Sequence, residues 1–316
     1  MTDSIAETMT VVVPVRNRPQ LILRTLDSIK AQTWRPLRVI VVDNGSDDDT
    51  PERVRRWIEQ NKEEEFECTL LEEPSPGPSV ARNSGLREVT TRLMMHFDSD
   101  DLMRPGHIET IMRRFEAPDH PDLVCFRIHY HSLGGKSKVN RAPRGSLMQN
   151  HLVHSLLCTI GYACETALIR RAGGWNINLR CWEDYELGVR LLLESRQRAY
   201  IKDVNAEAFS RMESVTGPNF IAKEGEWEKA LDEVERTLEQ SLHNDRKKWI
   251  TYVAYRRAVL AAHYKREGNP EAASRLMGKA LGQEGLSSLQ RAYLKTVFKY
   301  TAAGGRGASL PSKLIF

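Results

Sequence analysis

The sequence predicts an α/β fold, a mostly parallel sheet with helices on both faces. Three observations carry that reading. Short apolar, β-branched runs recur at 10–15, 38–42, 69–71, 92–97 and 123–128. Amphipathic helical stretches separate them. Carboxylates and amides cluster directly after the runs rather than inside them. Strands that are apolar on both sides need cover on both sides, which is the pattern of a parallel sheet. Such sheets bind ligands beyond the carboxyl ends of their strands.

Each element has a local reason. In 19–31, Ile22, Leu26 and Ile29 fall on one helical face. Thr50 reads as an N-cap with Pro51 at the first helical position, and Val54 and Ile58 as the inner face that follows. Stretches 79–89 and 105–115 read as further helices. The segment 129–164 is less regular, with Gly134-Gly135 as a hairpin turn. Helical spacing returns at 182–195 through Leu187 and Leu191. From about 220 the pattern changes to long helices, and 249–281 reads as a helical hairpin turning at Gly268-Asn269-Pro270. The expected organisation is an α/β domain at 1–219 and a helical extension at 220–316.

Composition narrows the function. The chain has 316 residues, 28% of them charged, with a formal net charge of only +4, so nucleic acid is not an expected partner. The N-terminus lacks a basic start followed by an apolar run, and no uncharged apolar stretch approaches the roughly 18 residues of a membrane span. Five cysteines, an odd number without a CxxC pair, read as buried thiols in a reducing cytosol.

Four constellations carry chemistry. Asp98-Ser99-Asp100-Asp101 follows the apolar run ending at Phe97. Carboxylates this close repel and raise one another's pKa, and a hard divalent cation such as Mg²⁺ or Mn²⁺ removes that cost. The other reading is helix capping, for which one Asp suffices. Asp43-Asn44-Gly45-Ser46 follows the second run and reads either as a base- or ribose-contacting edge or as an Asn-Gly turn. In 76–85 a Pro/Gly loop opens a helix bearing Arg82 and Asn83, which suits a phosphate or an ordinary surface loop. In Trp182-Glu183-Asp184, the acids at a helix start suit the macrodipole, or one serves as general base for an acceptor hydroxyl.

The ordered set at 11–18, 41–46, 76–85, 98–101 and 182–184 resembles the family 2 glycosyltransferases of GT-A fold, over roughly 9–215. That resemblance implies inverting transfer from a nucleotide diphosphate sugar with Mn²⁺ or Mg²⁺. By it, Pro14, Arg16, Asp43 and Asn44 would hold the nucleoside, with Arg82 and Asn83 near the nucleotide. Asp98 and Ser99 would line the donor, Asp100 and Asp98 the metal, and Asp184 would be the base, with Trp182 and Glu183 on the acceptor side. Asn44 stands where the family often has Asp; it still suits a uracil or thymine imide and leaves guanine open, with UDP-sugars the favoured donors. Many members carry a His after the last core strand. Here 209–214 has none, which leaves Glu213 or water as the third ligand.

Two rival functions have sequence tests. A sugar nucleotidyltransferase needs a Gly-rich basic loop after the first strand, and 14–19 contains no glycine. A silent binding protein has no use for the set Asp98, Asp100 and Asp184. The implied acceptor is a glycan or lipid-linked glycan in bacterial surface synthesis. Segment 286–316 has no acid but carries Arg291, Lys295, Lys299, Arg306 and Lys313, with Leu289, Tyr293, Val297 and Tyr300 as an apolar stripe. That stripe either packs on the preceding hairpin or lies on the cytoplasmic face of a membrane.

Overall fold

The computed structural model describes residues 7–140, 142–210 and 220–305. The chain divides into two compact units. The first comprises Met1–Ala142, Leu157–Asn178 and Glu194–Met212, the second Pro143–Leu156, Leu179–Leu193 and Glu213–Phe316. The second unit therefore recruits two segments from within the stretch read as the α/β domain.

In chain order the first unit opens with β1 (Met9–Val15), α1 (Leu21–Lys30), β2 (Leu37–Asp43), α2 (Thr50–Gln60) and β3 (Phe66–Glu72). It continues through α3 (Pro78–Glu88), β4 (Leu93–His96), β5 (Leu102–Met103), α4 (His107–Phe115), β6 (Leu123–His131) and β7 (Ser137–Val139). Helix α5 (Leu147–His154) belongs to the second unit. Then come β8 (Tyr162–Glu165) and α6 (Thr166–Arg171), α7 (Glu183–Glu194) of the second unit, and β9 (Arg198–Phe209). The sheet order is β3-β2-β1-β4-β8-β6-β9-β5, with β7 paired to β6. The first four strands are parallel, and antiparallel pairing enters at β8.

The period-two pattern of β1 sets both faces. Val11, Val13 and Val15 join Ile22, Leu26 and Ile29 of α1 in one buried cluster. Val12 and Val42 point to the opposite face, against α3. A Cβ on Gly85 would stand 2.3 Å from Val12 Cγ1, so glycine is what lets α3 approach β1 this closely. Helix α2 begins one residue earlier than the capping signal suggests. Thr50 is its first helical residue, and its hydroxyl accepts from the Arg18 N–H instead of capping.

The second unit centres on α9 (Arg246–Arg266), with α8 (Glu226–Gln240), α10 (Pro270–Gly282), α11 (Ser288–Ala302) and α5 packed on it. Asn269 caps α10 through Ala272 N–H, which fixes the expected hairpin turn. Arg257 is fully buried and held by Asp232 at 2.7 Å and Glu235 at 2.5 Å. The stripe on α11 is divided: Tyr293 and Val297 are buried, Tyr293 stacking on Tyr255 of α9, while Leu289 and Tyr300 are exposed. Packing thus takes half of the surface that a membrane reading needs. Arg306 and Lys313 lie outside the described residues. Among the described residues, no helix is long and apolar enough to cross a membrane.

Candidate active site

The carboxyl ends of β1, β2 and β4 bring most of the expected donor residues to one edge of the first unit. Pro14 lies in β1 opposite Val42, and Arg16 is exposed just beyond the strand. Asp43 ends β2 and is buried. Its Oδ2 accepts from Ser46 N–H at 3.1 Å, whereas Oδ1 is buried without a hydrogen-bond partner. A buried carboxylate oxygen without a donor is costly, and a ligand N–H or O–H removes that cost.

Asn44 does something other than read a base. Its amide N–H groups donate to the carbonyls of Glu73 at 3.1 Å and Ser75 at 2.7 Å, and its Oδ1 accepts from Gly77 N–H at 2.8 Å. Both donors are therefore spent on the 73–77 loop, so the expected imide contact has no N–H to use. Asn83 is used in the same way. Its amide brackets Trp175, donating to the carbonyl at 2.8 Å and accepting from the N–H at 2.9 Å. These two amides shape the site rather than face a ligand.

The acidic turn follows β4. Asp98 Oδ1 takes a hydrogen bond from Arg82 Nη2 at 3.0 Å, and Asp100 Oδ1 lies 2.8 Å from Arg18 Nη1. Asp101 is buried and accepts from Phe209 N–H at 2.9 Å. Burial, reinforced by Asp98 and Asp100, pushes its carboxyl well above the ordinary range. Ser99 is buried between them. The three carboxylates are therefore not bare. Two are met by guanidinium groups, and the third serves β9 and is held toward its neutral form. Asp98 and Asp100 still offer hard oxygen donors at 31% and 14% exposure, which fits Mg²⁺ or Mn²⁺ completed by phosphate oxygens.

Arg82 sits in the first turns of α3, almost fully buried, with its guanidinium 4.4 Å from the Trp175 ring centre. His96 lies beneath, donating to the Arg82 carbonyl at 3.3 Å. Burial first, then the Arg82 charge, lowers the His96 pKa to about 3. A neutral imidazole thus supports Arg82 without adding to its charge.

Trp182, Glu183 and Asp184 open α7 in the second unit. Trp182 has a left-handed φ of 53°, strained for an indole-bearing residue. Arg256 stands 4.5 Å over its ring and Trp227 meets it edge-on at 5.0 Å. Glu183 is buried, and Asp184 is half-exposed with Oδ1 accepting from Tyr185 N–H at 2.7 Å.

Comparison with known proteins places this geometry. The model of the family described as "Glycosyl transferase family 2" matches residues 10–173, more than half of the chain. The chain belongs to glycosyl transferase family 2. The pre-mycofactocin glycosyltransferase of Mycobacterium tuberculosis is 31% identical over 196 residues, covering 58% of this chain and 39% of that protein. A GalNAc(5)-diNAcBac-PP-undecaprenol beta-1,3-glucosyltransferase of Campylobacter jejuni is 29% identical over 106 residues, 34% of each chain. The chain thus matches well under half the length of these relatives. Among solved structures, S. aureus TarS 1-349 with UDP-GlcNAc aligns over 97% of this chain and 92% of its own at TM-score 0.72 and 15% identity. The mannosyltransferase PcManGT of Pyrobaculum calidifontis, in complex with GDP-Man and Mn2+, aligns over 98% and 88% at TM-score 0.55 and 21% identity. Both likenesses establish the GT-A fold of this family 2 chain.

Sequence reading missed Arg18, whose pairing with Asp100 joins segments 82 positions apart. It also assigned no role to His129 and His131. They stand side by side on β6, opposite Glu207 of β9, and the three could gather around a cation. Arg104 already holds Glu207 at 2.6 Å and reaches His129 Nδ1 at 3.5 Å, so an arginine takes the place of a metal there. His151 is a core residue bonded to the Tyr185 carbonyl at 2.8 Å. Arg211 and Glu213 lie outside the described residues.

Proposed function

We propose that this chain transfers a sugar, with inversion, from a nucleotide diphosphate sugar to an acceptor hydroxyl, in bacterial surface glycan synthesis. UDP-sugars are the favoured donors. The acidic turn at 98–101, placed at the carboxyl end of a core strand in a family 2 chain, carries the reading. TarS with UDP-GlcNAc and PcManGT with GDP-Man and Mn2+ support donor class and metal use. The undecaprenol-linked substrate named for the Campylobacter relative supports a lipid-linked acceptor.

In this reading residues 1–219 carry donor chemistry and the helices of 220–316 extend the fold. Asp43 takes nucleoside donors on its unpaired oxygen, beside Pro14 and Arg16. Arg82 and Ser99 face the nucleotide. Asp184 removes the acceptor proton, with Trp182 and Glu183 on the acceptor side; these roles come from the family resemblance. Asp100 and Asp98 would hold Mn²⁺ or Mg²⁺, which would supply positive charge for the departing diphosphate. The protein is placed in the cytoplasm, with the basic face of α11 toward the membrane surface.

Calorimetry with UDP, with and without Mn²⁺, tests the donor site. Wild type is expected to bind with metal and Asp100→Ala to lose the metal dependence. Equal Mn²⁺-dependent affinity in a folded Asp100→Ala protein would remove Asp100 from the site.

A further inference from the structure

We infer that Arg18 is a resident counter-cation of Asp100, that it yields this place to the divalent metal when donor binds, and that its guanidinium then pairs with the donor diphosphate. The inference rests on the reading of Asp100 as a metal ligand.

The two arginines at the acidic turn are held differently. Arg82 is buried, packed on Trp175, and fixed to Asp98. Arg18 keeps 29% of its side chain exposed while its backbone is anchored. Its N–H donates to Thr50 Oγ1 at 3.0 Å, and the neighbouring Asn17 N–H donates to Ser46 Oγ at 2.9 Å. A pinned backbone with a half-exposed arm lets the guanidinium move without the loop moving.

Charge explains why it should move. Asp98 is paired with Arg82 and Asp100 with Arg18. A divalent cation alone would add two positive charges beside these pairs. A nucleotide diphosphate sugar alone would add two negative ones. Together the added charges cancel, so metal and donor favour each other. A cation held by Asp100 would also repel the Arg18 guanidinium, which lies 2.8 Å from the same carboxylate. The nearest new anion would be the donor diphosphate, and a guanidinium fork suits two phosphate oxygens.

The test is calorimetry on the full chain, titrating Mn²⁺ without and with saturating UDP, and UDP in the presence of Mn²⁺. Wild type, Arg18→Gln and Arg18→Lys are compared, with thermal unfolding confirming the fold of each. Arg18→Gln is expected to bind Mn²⁺ alone about tenfold tighter and to bind UDP with Mn²⁺ about tenfold weaker. Arg18→Lys, which keeps charge but loses the fork, is expected to fall between. If wild type shows UDP-dependent Mn²⁺ binding and Arg18→Gln changes neither affinity, the exchange is wrong while the metal site stands. If no variant shows Mn²⁺–UDP synergy, the metal reading of Asp100 fails together with the exchange.

Discussion

Asp43 and Asn44 are sequence neighbours with opposite employments. Asp43 keeps a buried oxygen without a partner, whereas Asn44 spends its whole amide on the 73–77 loop. We predict that Asp43→Asn lowers UDP affinity about tenfold or more with little change in stability, because the Ser46 contact can persist. Asn44→Ala, by contrast, should cost about 2–3 kcal/mol of stability from three lost hydrogen bonds near 1 kcal/mol each. Urea unfolding alongside UDP titration separates the two. If Asn44→Ala kept full stability and lost only affinity, the amide would be a ligand contact after all. Sequence alone showed the residue types at this strand end but not their partners, because the loop that Asn44 holds lies about 30 positions downstream. Arg18 escaped notice for the same reason: an ion pair between two loops has no local periodicity.

At the scale of elements, the parallel half of the sheet was legible because each strand is a short apolar run bounded by turn residues. Strands β5, β8 and β9 were not. Strand β8 has four residues, β5 has two, and β9 runs through Lys202 and Asp203, so none carries a clean run. Helix α3 shows how closely the legible part is packed. Its Gly85 meets Val12 and Val42 where a Cβ would overlap. Gly85→Ala is predicted to destabilise by about 1–3 kcal/mol through overpacking, despite alanine's better helix propensity. Thermal unfolding checks this, and a stabilised Gly85→Ala protein would show that α3 can move off β1. The α11 stripe illustrates a limit of another kind: its spacing showed an amphipathic helix, yet only the structure shows that Tyr293 and Val297 face α9.

For the whole molecule, burial of neutral histidines in both units predicts acid sensitivity. Burial lowers His96 and His107 to about 3, and His151 and His263 to about 4. Unfolded histidine titrates near about 6.5, so below that pH the unfolded chain binds more protons and stability falls as pH drops toward 4. Each histidine contributes up to about 1.4 kcal/mol per pH unit over that window. Urea midpoints at pH 7.5 and 5.0 should therefore fall with acidification; equal midpoints would mean that these rings charge within the fold. The central claim concerns transfer. The direct measurement is release of nucleotide diphosphate from a panel of nucleotide sugars, with and without Mn²⁺ and a lipid-linked glycan acceptor, by wild type and Asp184→Asn. The account predicts metal-dependent release from a UDP-sugar that the acceptor stimulates. It also predicts that Asp184→Asn retains UDP binding but loses roughly 10²–10⁴-fold in rate. Metal-independent release, or an Asp184→Asn protein as fast as wild type, would contradict it.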